Sequence, residues 1–177
     1  MWMAACIRKE PDPLPLLVLL RHAKSSYPTG VRDDARPLSD RGRRDAVAAG
    51  EWISSACGPI DEAVISPAKR ARETWALAAP SLQVRRVRTD DRIYDDWGSR
   101  LGDVLADVDA GARSALILGH NPGIEEFALS LVSEGRREDL DRMREKYPTS
   151  AVAVLELDGC WGSPGPARLV AFAVPRG

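Results

Sequence analysis

The sequence predicts an α/β protein, a three-layer α/β/α sandwich with a mostly parallel central sheet and an antiparallel edge hairpin at the C-terminal end. Three observations support this fold class. Short apolar runs such as Leu16–Leu20 and Ser114–Leu118 are typical of strands buried on both faces of a parallel sheet. Segments with apolar residues at helical spacing alternate with these runs, which favours strand–helix–strand units. Two late apolar segments, joined by a turn-rich stretch, predict the hairpin.

The first half of the chain contains three predicted strands and two predicted helices. A polar loop, Ala23 to Arg36, follows the first strand. Ser39 can cap a helix whose small apolar residues recur at helical spacing until Gly58-Pro59 ends it. Ser66-Pro67 opens a second helix, since serine can cap and proline tolerates the first helical position. The ranges are strands at Leu16–Leu20, Glu62–Ser66 and Val84–Val87, and helices from about Ser39 to Gly58 and from Ser66 to about Ala79.

The second half continues the alternation and then ends in the hairpin. An acidic, irregular segment from Asp90 to Ser99 comes first. A fourth strand closes in a tight polar turn, and the apolar spacing beyond that turn indicates an amphipathic helix. The ranges are helices at about Arg100–Val108, Ile124–Leu131 and Arg136–Lys146, a strand at Ser114–Leu118, and hairpin strands at Ala151–Leu157 and Leu169–Val174.

Length, charge and cysteine content limit the function classes. The 177 residues fit one domain, which we place at 16–177 after a flexible N-terminal tail, 1–15. The 25 basic and 26 acidic residues give a net charge of −1, so a general attraction to nucleic acid or to a membrane is not expected. Three widely separated cysteines favour a reducing compartment over disulfides or a zinc cluster. Without a signal or membrane segment, we expect a cytoplasmic protein that needs no cofactor.

Both histidines of the chain follow predicted buried strands. If those strands are parallel, His22 and His120 emerge at the same edge of the sheet, where ligands bind in open α/β sheets. Arg21 adjoins the first histidine, and Arg70 lies in the first turns of a helix that begins at this edge. Two guanidinium groups beside two imidazoles are typical of a phosphate site, because the guanidinium fork matches two phosphate oxygens. The same arginines would repel a metal cation, so no metal site is expected.

An imidazole in such a site can attack phosphorus. A neutral histidine then forms a phosphohistidine that water hydrolyses. Only one of the two histidines can lie in line with the bond that breaks, and the other should donate hydrogen bonds to phosphoryl oxygens. Composition and spacing do not say which histidine takes which role.

Several short motifs along the chain form a family pattern. They are Arg21-His22-Ala23, Ser66-Pro67 with Arg70-Ala71 and Thr74, Gly119-His120-Asn121-Pro122-Gly123, Arg36-Pro37-Leu38-Ser39 with Gly42, and Tyr147-Pro148-Thr149-Ser150. Their order and spacing resemble the histidine phosphatase superfamily, in the branch that includes phosphoglycerate mutases. The fourth and fifth motifs are similar to the short phosphohistidine phosphatases of SixA type. The resemblance covers about Leu16 to Leu157 and implies a phosphoglycerate mutase-like fold.

The resemblance also implies roles for individual residues. His22 becomes the nucleophile, Arg21 and Arg70 clamp the phosphoryl oxygens, and His120 stabilises the group in transfer. Larger relatives carry an acidic proton donor after the third strand, for which the candidates here are Asp95 and Asp96, although a solvated acidic loop explains them equally well. Two weaker candidates for phosphate contact are Arg36 and Ser26.

The expected activity is that of a phosphatase, a hydrolase of phosphoric monoesters or phosphohistidine. The leading substrate is phosphohistidine on a protein, because little of the chain is left to form a lid over a small molecule. A small-molecule phosphomonoesterase is the alternative, since the fold does not specify the leaving group. A third alternative is a phosphate-binding module without turnover, against which the intact set of two histidines and two arginines argues.

Overall fold

The computed structural model describes residues 13–95 and 100–177. The predicted N-terminal tail lies almost wholly outside these ranges. Its last residue, Pro15, accepts a hydrogen bond of 3.0 Å from the amide of Leu157. Within the described ranges, no helix is both long enough and apolar enough to cross a lipid bilayer.

The described residues form seven strands and six α-helices. The strands are β1 (Leu16–Arg21), β2 (Ile60–Ile65), β3 (Val84–Thr89), β4 (Ser114–Gly119), β5 (Val132–Gly135), β6 (Val152–Leu157) and β7 (Ala167–Ala173). The helices are α1 (Asp40–Cys57), α2 (Lys69–Ala78), α3 (Arg92–Asp95), α4 (Leu101–Ala106), α5 (Gly123–Leu131) and α6 (Arg137–Glu145). Two 3₁₀ turns, Asp33–Ala35 and Ala79–Ser81, connect them.

All seven strands join one sheet in the order β3-β2-β4-β1-β6-β7-β5. The first four are parallel, whereas β6 runs antiparallel to both β1 and β7. In the β1–β4 pair, Arg21 lies opposite Gly119, so both of these strands end at the same level. Because His22 and His120 are the next residues, the topology places them side by side at one edge of the sheet.

Helices cover both faces of the sheet, which confirms the predicted three-layer sandwich. On one face, Ala49 and Ile53 of α1 pack with alternate residues of β1 such as Leu20. On the other face, α4, α5 and α6 pack against the remaining residues of β1, including Leu17 and Leu19. Strands that are apolar on both faces are buried by this arrangement.

The N-terminus of α1 holds the loop that follows β1. Ser39 caps this helix as predicted, since its Oγ accepts a hydrogen bond of 3.1 Å from the amide of Gly42. The same hydroxyl donates to the carbonyl oxygen of Lys24 at 3.0 Å. A Cβ at Gly42 would lie 2.0 Å from that carbonyl oxygen, so only glycine allows this close approach.

The structure differs from the sequence prediction in three elements. Helix α3, Arg92–Asp95, lies in the segment from Asp90 to Ser99, for which we expected irregular structure. Helix α2 begins at Lys69 instead of directly after Ser66, and its N-cap residue Ala68 has no side chain that could cap it. Strand β5, which pairs with β7 at the outer edge, was not predicted. Most of its residues are exposed, so it lacks the apolar signal that identifies a buried strand.

A buried ion pair links the sheet to the segment that carries α3. Glu62 on β2 is 1% exposed, and its Oε1 accepts a hydrogen bond of 2.8 Å from Nε of Arg88. Arg88 also donates to Asp90 at 2.5 Å and to the carbonyl oxygen of Val104 at 3.1 Å. This arginine therefore joins β2 and β3 to the residues just before α3.

We expect the substitution Arg88→Met to destabilise the protein by about 3 kcal/mol, because it leaves the carboxylate of Glu62 buried without its main partner. The measurement is the free energy of unfolding in urea. The matched control is Arg85→Met, which removes an exposed arginine of the same strand, β3, whose guanidinium group lies 3.6 Å from Asp61 on β2. That variant should lose less than about 1 kcal/mol. Equal losses in the two variants would show that the buried pair contributes nothing beyond a surface pair.

Candidate active site

A cavity of about 600 Å³ opens at the carboxyl ends of β1 and β4. The four residues on which the sequence prediction centred, Arg21, His22, Arg70 and His120, all line it. Arg21 ends β1 and His22 directly follows it. His120 follows β4, and Arg70 comes from the first turn of α2. The structure thus brings together residues that are up to 99 positions apart, from Arg21 to His120.

The backbone of Arg21 and His22 is held by two neighbouring segments. The amide of His22 donates to the carbonyl oxygen of Gly119 at 3.0 Å, which continues the β1–β4 pairing by one residue. The amide of Ser150 is shared between the carbonyl oxygens of Arg21 and His22, at 3.2 Å from each. Ser150 has φ of 63°, a conformation that only glycine adopts readily. This strained turn fixes the position of His22.

The tautomer of His22 follows from its hydrogen bond. Nδ1 lies 2.7 Å from the carbonyl oxygen of Ala23, which can only accept, so Nδ1 carries the proton. Nε2 therefore keeps its lone pair. His22 is 7% exposed and lines the cavity, so this lone pair belongs to a largely buried side chain in the cavity wall.

The second histidine, His120, lies beside His22 and is oriented by a hydrogen bond with Ser66. Its ring centroid lies 4.9 Å from that of His22, and its Nε2 lies 2.7 Å from Oγ of Ser66. That Oγ accepts a long hydrogen bond of 3.4 Å from the amide of Ala68, which leaves the hydroxyl proton for the imidazole. When the Ser66 hydroxyl donates to Nε2, Nδ1 carries the ring proton and is a donor. Ser66, which we predicted to cap α2, instead orients His120.

Three buried N–H donors point to an anion as the ligand of this cavity. Nε of Arg21, Nε of Arg70 and Nδ1 of His120 have no hydrogen-bond partner among the described residues. Buried donors are rarely left unpaired, and the three residues that carry them all line the cavity, which favours an oxyanion as its ligand. A second nitrogen of each guanidinium group is held in place: NH1 of Arg21 donates to the carbonyl oxygen of Tyr147 at 2.6 Å, and NH1 of Arg70 donates to that of Asp33 at 2.6 Å.

The environment of both imidazoles keeps them neutral. Burial, and then the presence of His120, hold the pKa of His22 well below its ordinary value of 6.5. Burial, and then the charge of Arg70, lower the pKa of His120 to about 3. A neutral imidazole has the lone pair that attack on phosphorus requires, so the site is poised for nucleophilic chemistry at neutral pH.

We expect neither histidine of the folded protein to titrate between about pH 5 and 8. Since the chain has only two histidines, NMR of ¹⁵N-labelled imidazoles measures both pKa values without overlap. The unfolded chain takes up these protons below about pH 6.5 and the folded chain does not, so stability should fall as the pH drops from about 6.5 towards 3. The control is the protein in urea, where both should titrate near 6.5. A midpoint near 6.5 in the folded protein would contradict the neutral pair.

The remaining predicted site residues have different positions. Arg36 lines the cavity, but its guanidinium group binds Asp33 at 2.7 Å and lies 3.3 Å from the ring centroid of Tyr27. Ser26 is not among the described residues that line the cavity, and its hydroxyl donates to the carbonyl oxygen of Pro37 at 3.3 Å. Asp95 ends α3 and its side chain, like the whole of Asp96, lies outside the described residues.

Sequence reasoning missed several residues of the cavity wall, among them Asp33, Tyr94 and Asn121. Asp33 comes from the 3₁₀ turn after β1 and Tyr94 from α3, and the Tyr94 hydroxyl donates to the Asp33 carboxylate at 2.9 Å. Asn121 donates to the carbonyl oxygen of Tyr147 at 3.0 Å. The motif that contains Asn121 was the only signal for any of them. Within the part of the chain that the structure describes, no group of three histidine, cysteine or acidic side chains is placed to hold a metal ion.

Comparison with known proteins agrees with this geometry. The family model described as histidine phosphatase superfamily (branch 1) matches residues 17–152. An uncharacterized protein of Mycobacterium tuberculosis is 37% identical over 164 residues, which are 89% of this chain and 100% of the relative.

Two solved structures share the fold. One, from Nakamurella multipartitia and named as a candidate phosphohistidine phosphatase SixA, is 32% identical, with a TM-score of 0.79 over 93% of this chain and 99% of its own. The other, a protein histidine phosphatase SixA complexed with tungstate, is 20% identical, with a TM-score of 0.72 over 90% of this chain and 97% of its own, and shows the fold alone. The family match over most of the chain and the 32% identity to the Nakamurella multipartitia protein support a phosphatase. The chain belongs to branch 1 of the histidine phosphatase superfamily.

Proposed function

We propose that this protein is a phosphatase that transfers a phosphoryl group from a protein phosphohistidine to His22 and then to water. The observation that carries the proposal is the hydrogen bond of 2.7 Å between Nδ1 of His22 and the carbonyl oxygen of Ala23. This bond leaves the lone pair on Nε2, beside three buried donors without partners. A site that only bound phosphate would need the donors but not the nucleophile.

In the first half-reaction, Nε2 of His22 attacks phosphorus and the bond to the leaving group breaks. Negative charge spreads over the phosphoryl oxygens in the transition state. Arg21, Arg70 and the Nδ1 proton of His120 are placed to stabilise that charge, because their donors are fixed before the substrate arrives. The carbonyl oxygen of Ala23 stabilises the positive charge that His22 acquires. In the second half-reaction, water attacks the same phosphorus and His22 leaves.

The acidic groups in the described part of the cavity favour an imidazole over an alkoxide as the leaving group. An alkoxide needs a proton from a general acid, whereas an imidazole is easily protonated and leaves with less help. The carboxyl that lines the described part of the cavity, Asp33, is ionised, because hydrogen bonds and the charge of Arg70 outweigh burial and lower its pKa to about 2. The 32% identity to a candidate phosphohistidine phosphatase also supports an imidazole as the leaving group.

A small phosphate ester is the second candidate substrate, and the size of the cavity favours it. A volume of about 600 Å³ lies within the range that holds small ligands. In that case Asp95 or Asp96 would supply the proton. The double substitution of both residues by asparagine would then abolish turnover of esters, while leaving turnover of phosphohistidine unchanged. Equal losses on both substrates would contradict this division of roles.

The test is a comparison of kcat/KM for the wild-type protein on a phosphohistidine-bearing protein and on a panel of small phosphate esters. Preference for phosphohistidine over every ester is the expected result. Preference for one ester would move the function to small-molecule hydrolysis, and binding of phosphate without turnover of any substrate would show a recognition module.

A further inference from the structure

Asp33 occupies an unusual position for a carboxylate in an anion site. It lies in the 3₁₀ turn after β1, lines the cavity and is 54% exposed at its side chain. Its Oδ1 accepts a hydrogen bond of 2.7 Å from Arg36, and its Oδ2 accepts from Arg70 at 3.0 Å and from the Tyr94 hydroxyl at 2.9 Å. This negative charge holds two arginines of the site, but it also repels a phosphate ester.

The hydrogen-bond count leaves one acceptor position open. An ionised carboxylate accepts at about four positions, two on each oxygen. The two donors on Oδ2 fill that oxygen, whereas Oδ1 has a single described donor. Because the side chain is about half exposed, a donor on a bound substrate can reach this remaining position.

The connection to the phosphoryl site runs through Arg70. The guanidinium group of Arg70 donates from NH1 to the carbonyl oxygen of Asp33 and from NH2 to its carboxylate, while its buried Nε has no described partner. The carboxylate is therefore separated from a phosphoryl group on Arg70 by a single guanidinium group. In-line transfer to His22 places the leaving group on the far side of phosphorus.

The geometry points to Asp33 as the residue that selects nitrogen-linked phosphoryl groups, by accepting a hydrogen bond from the second ring nitrogen of the substrate's phosphohistidine. This inference rests on the proposed function. The substrate ring carries phosphorus on one nitrogen and a proton on the other. Nε2 of His22 forms the new N–P bond, and the electron pair of the breaking P–N bond goes to the substrate ring. The ring leaves as neutral imidazole, and its N–H stays with Asp33 throughout.

Asp33 favours this reaction because it stabilises the protonated ring. Without that proton the ring would leave as an imidazolate, a much poorer leaving group. The positive charge lost by the substrate appears on His22, which is phosphorylated on Nε2 and protonated on Nδ1. A phosphate ester has no such N–H and gains nothing from Asp33.

The charged and titratable groups around Asp33 support a carboxylate that stays ionised. Arg36 and Arg70 are in contact with it, and burial together with the Asp33 bond raises the pKa of Tyr94, so that the phenol remains a donor. On its own turn, Asp34 is paired with Arg32 at 3.2 Å. The other groups of the same cavity are Lys24, Arg21, His22, His120 and Tyr27.

The test measures kcat/KM of Asp33→Asn on a phosphohistidine peptide and on p-nitrophenyl phosphate, whose leaving group needs no proton. We expect kcat/KM on the peptide to fall by about 10- to 100-fold relative to kcat/KM on the aryl phosphate. This is the effect expected from the loss of one hydrogen bond to a charged group. The alkaline limb of the pH profile on the peptide should move to lower pH, because the carboxylate no longer raises the pKa of the bound ring. Asp33→Glu keeps the carboxylate and should restore part of the preference for the peptide over the aryl phosphate.

Tyr94→Phe is the matched control, since it removes one donor to Asp33 but keeps the carboxylate, and the substrate ratio should not change. Equal losses on both substrates in Asp33→Asn, with an unchanged pH profile, would show that Asp33 only holds Arg36 and Arg70 and would overturn the inference alone. A wild-type protein that hydrolyses the aryl phosphate but not the peptide would overturn both the proposed substrate and the inference.

Discussion

Replacing His22 by alanine should lower kcat by about 10⁴-fold or more on every substrate, because the covalent route is lost and only transition-state stabilisation by the arginines remains. The substitution removes no charge, since the imidazole is neutral in the folded protein. It also leaves the carbonyl oxygen of Ala23 and the amide contacts of the β1 end in place. Steady-state kinetics with phosphohistidine and an aryl phosphate measure the loss.

The control for His22→Ala is His120→Ala. If His120 only donates a hydrogen bond, its loss should cost about 10² to 10³ in kcat and still allow a phosphoenzyme to form. The two variants therefore separate the roles that composition and spacing alone left open. Comparable activity of His22→Ala and the wild-type protein on any substrate would end the covalent mechanism for that substrate.

Replacing Arg70 by alanine should lower kcat/KM by about 10³-fold, which is the scale of an arginine that stabilises a phosphoryl transition state. Arg70 is 6% exposed and lines the cavity, and its buried Nε has no described hydrogen-bond partner. The variant also removes one of the three donors to Asp33. Kinetics on both substrate classes measure the effect.

Two controls accompany this variant. Arg72→Ala removes an exposed arginine from the same helix and should leave kcat/KM within about twofold, as surface charges contribute little. Arg70→Lys keeps the charge but loses the planar fork, so it should recover only part of the activity. Full recovery in the lysine variant would show that charge alone matters at this position.

The centre of the site was predictable because it depends on strand ends. Apolar runs identify β1 and β4, and parallel strands that lie side by side must end at the same edge. His22 and His120 follow those runs directly, so local sequence was enough to bring them together. The cap at Ser39 was predictable for a similar reason, since a helix N-terminus requires a nearby side-chain acceptor.

The rim of the site was not predictable, because its contacts join distant loops. Asp33 meets Tyr94 61 residues away, and neither residue lies in a periodic segment. Ser66 carries the local signal of a helix cap, yet its hydroxyl bonds to His120, 54 residues further on. A tertiary partner outweighed the local preference in this case. Strand β5 escaped prediction because its exposed residues carry no apolar pattern.

The neutral state of the histidines could not be read from the sequence either. Arg21 and Arg70 beside two imidazoles suggest a positive cluster, but the lowered pKa values come first from burial. Burial depends on how α2, α3 and the turn before β6 close around the strand ends. Only the folded structure supplies that information.

The covalent intermediate is the central claim, and trapping it is the most direct measurement. The wild-type protein is mixed with a phosphohistidine peptide, quenched in base within the first turnover and digested for mass spectrometry. We predict one phosphoryl group on His22, stable in base and lost in acid, in the wild-type protein and in His120→Ala but not in His22→Ala. A wild-type protein that turns over the substrate without phosphate on His22, or with phosphate on His120 instead, would contradict the account.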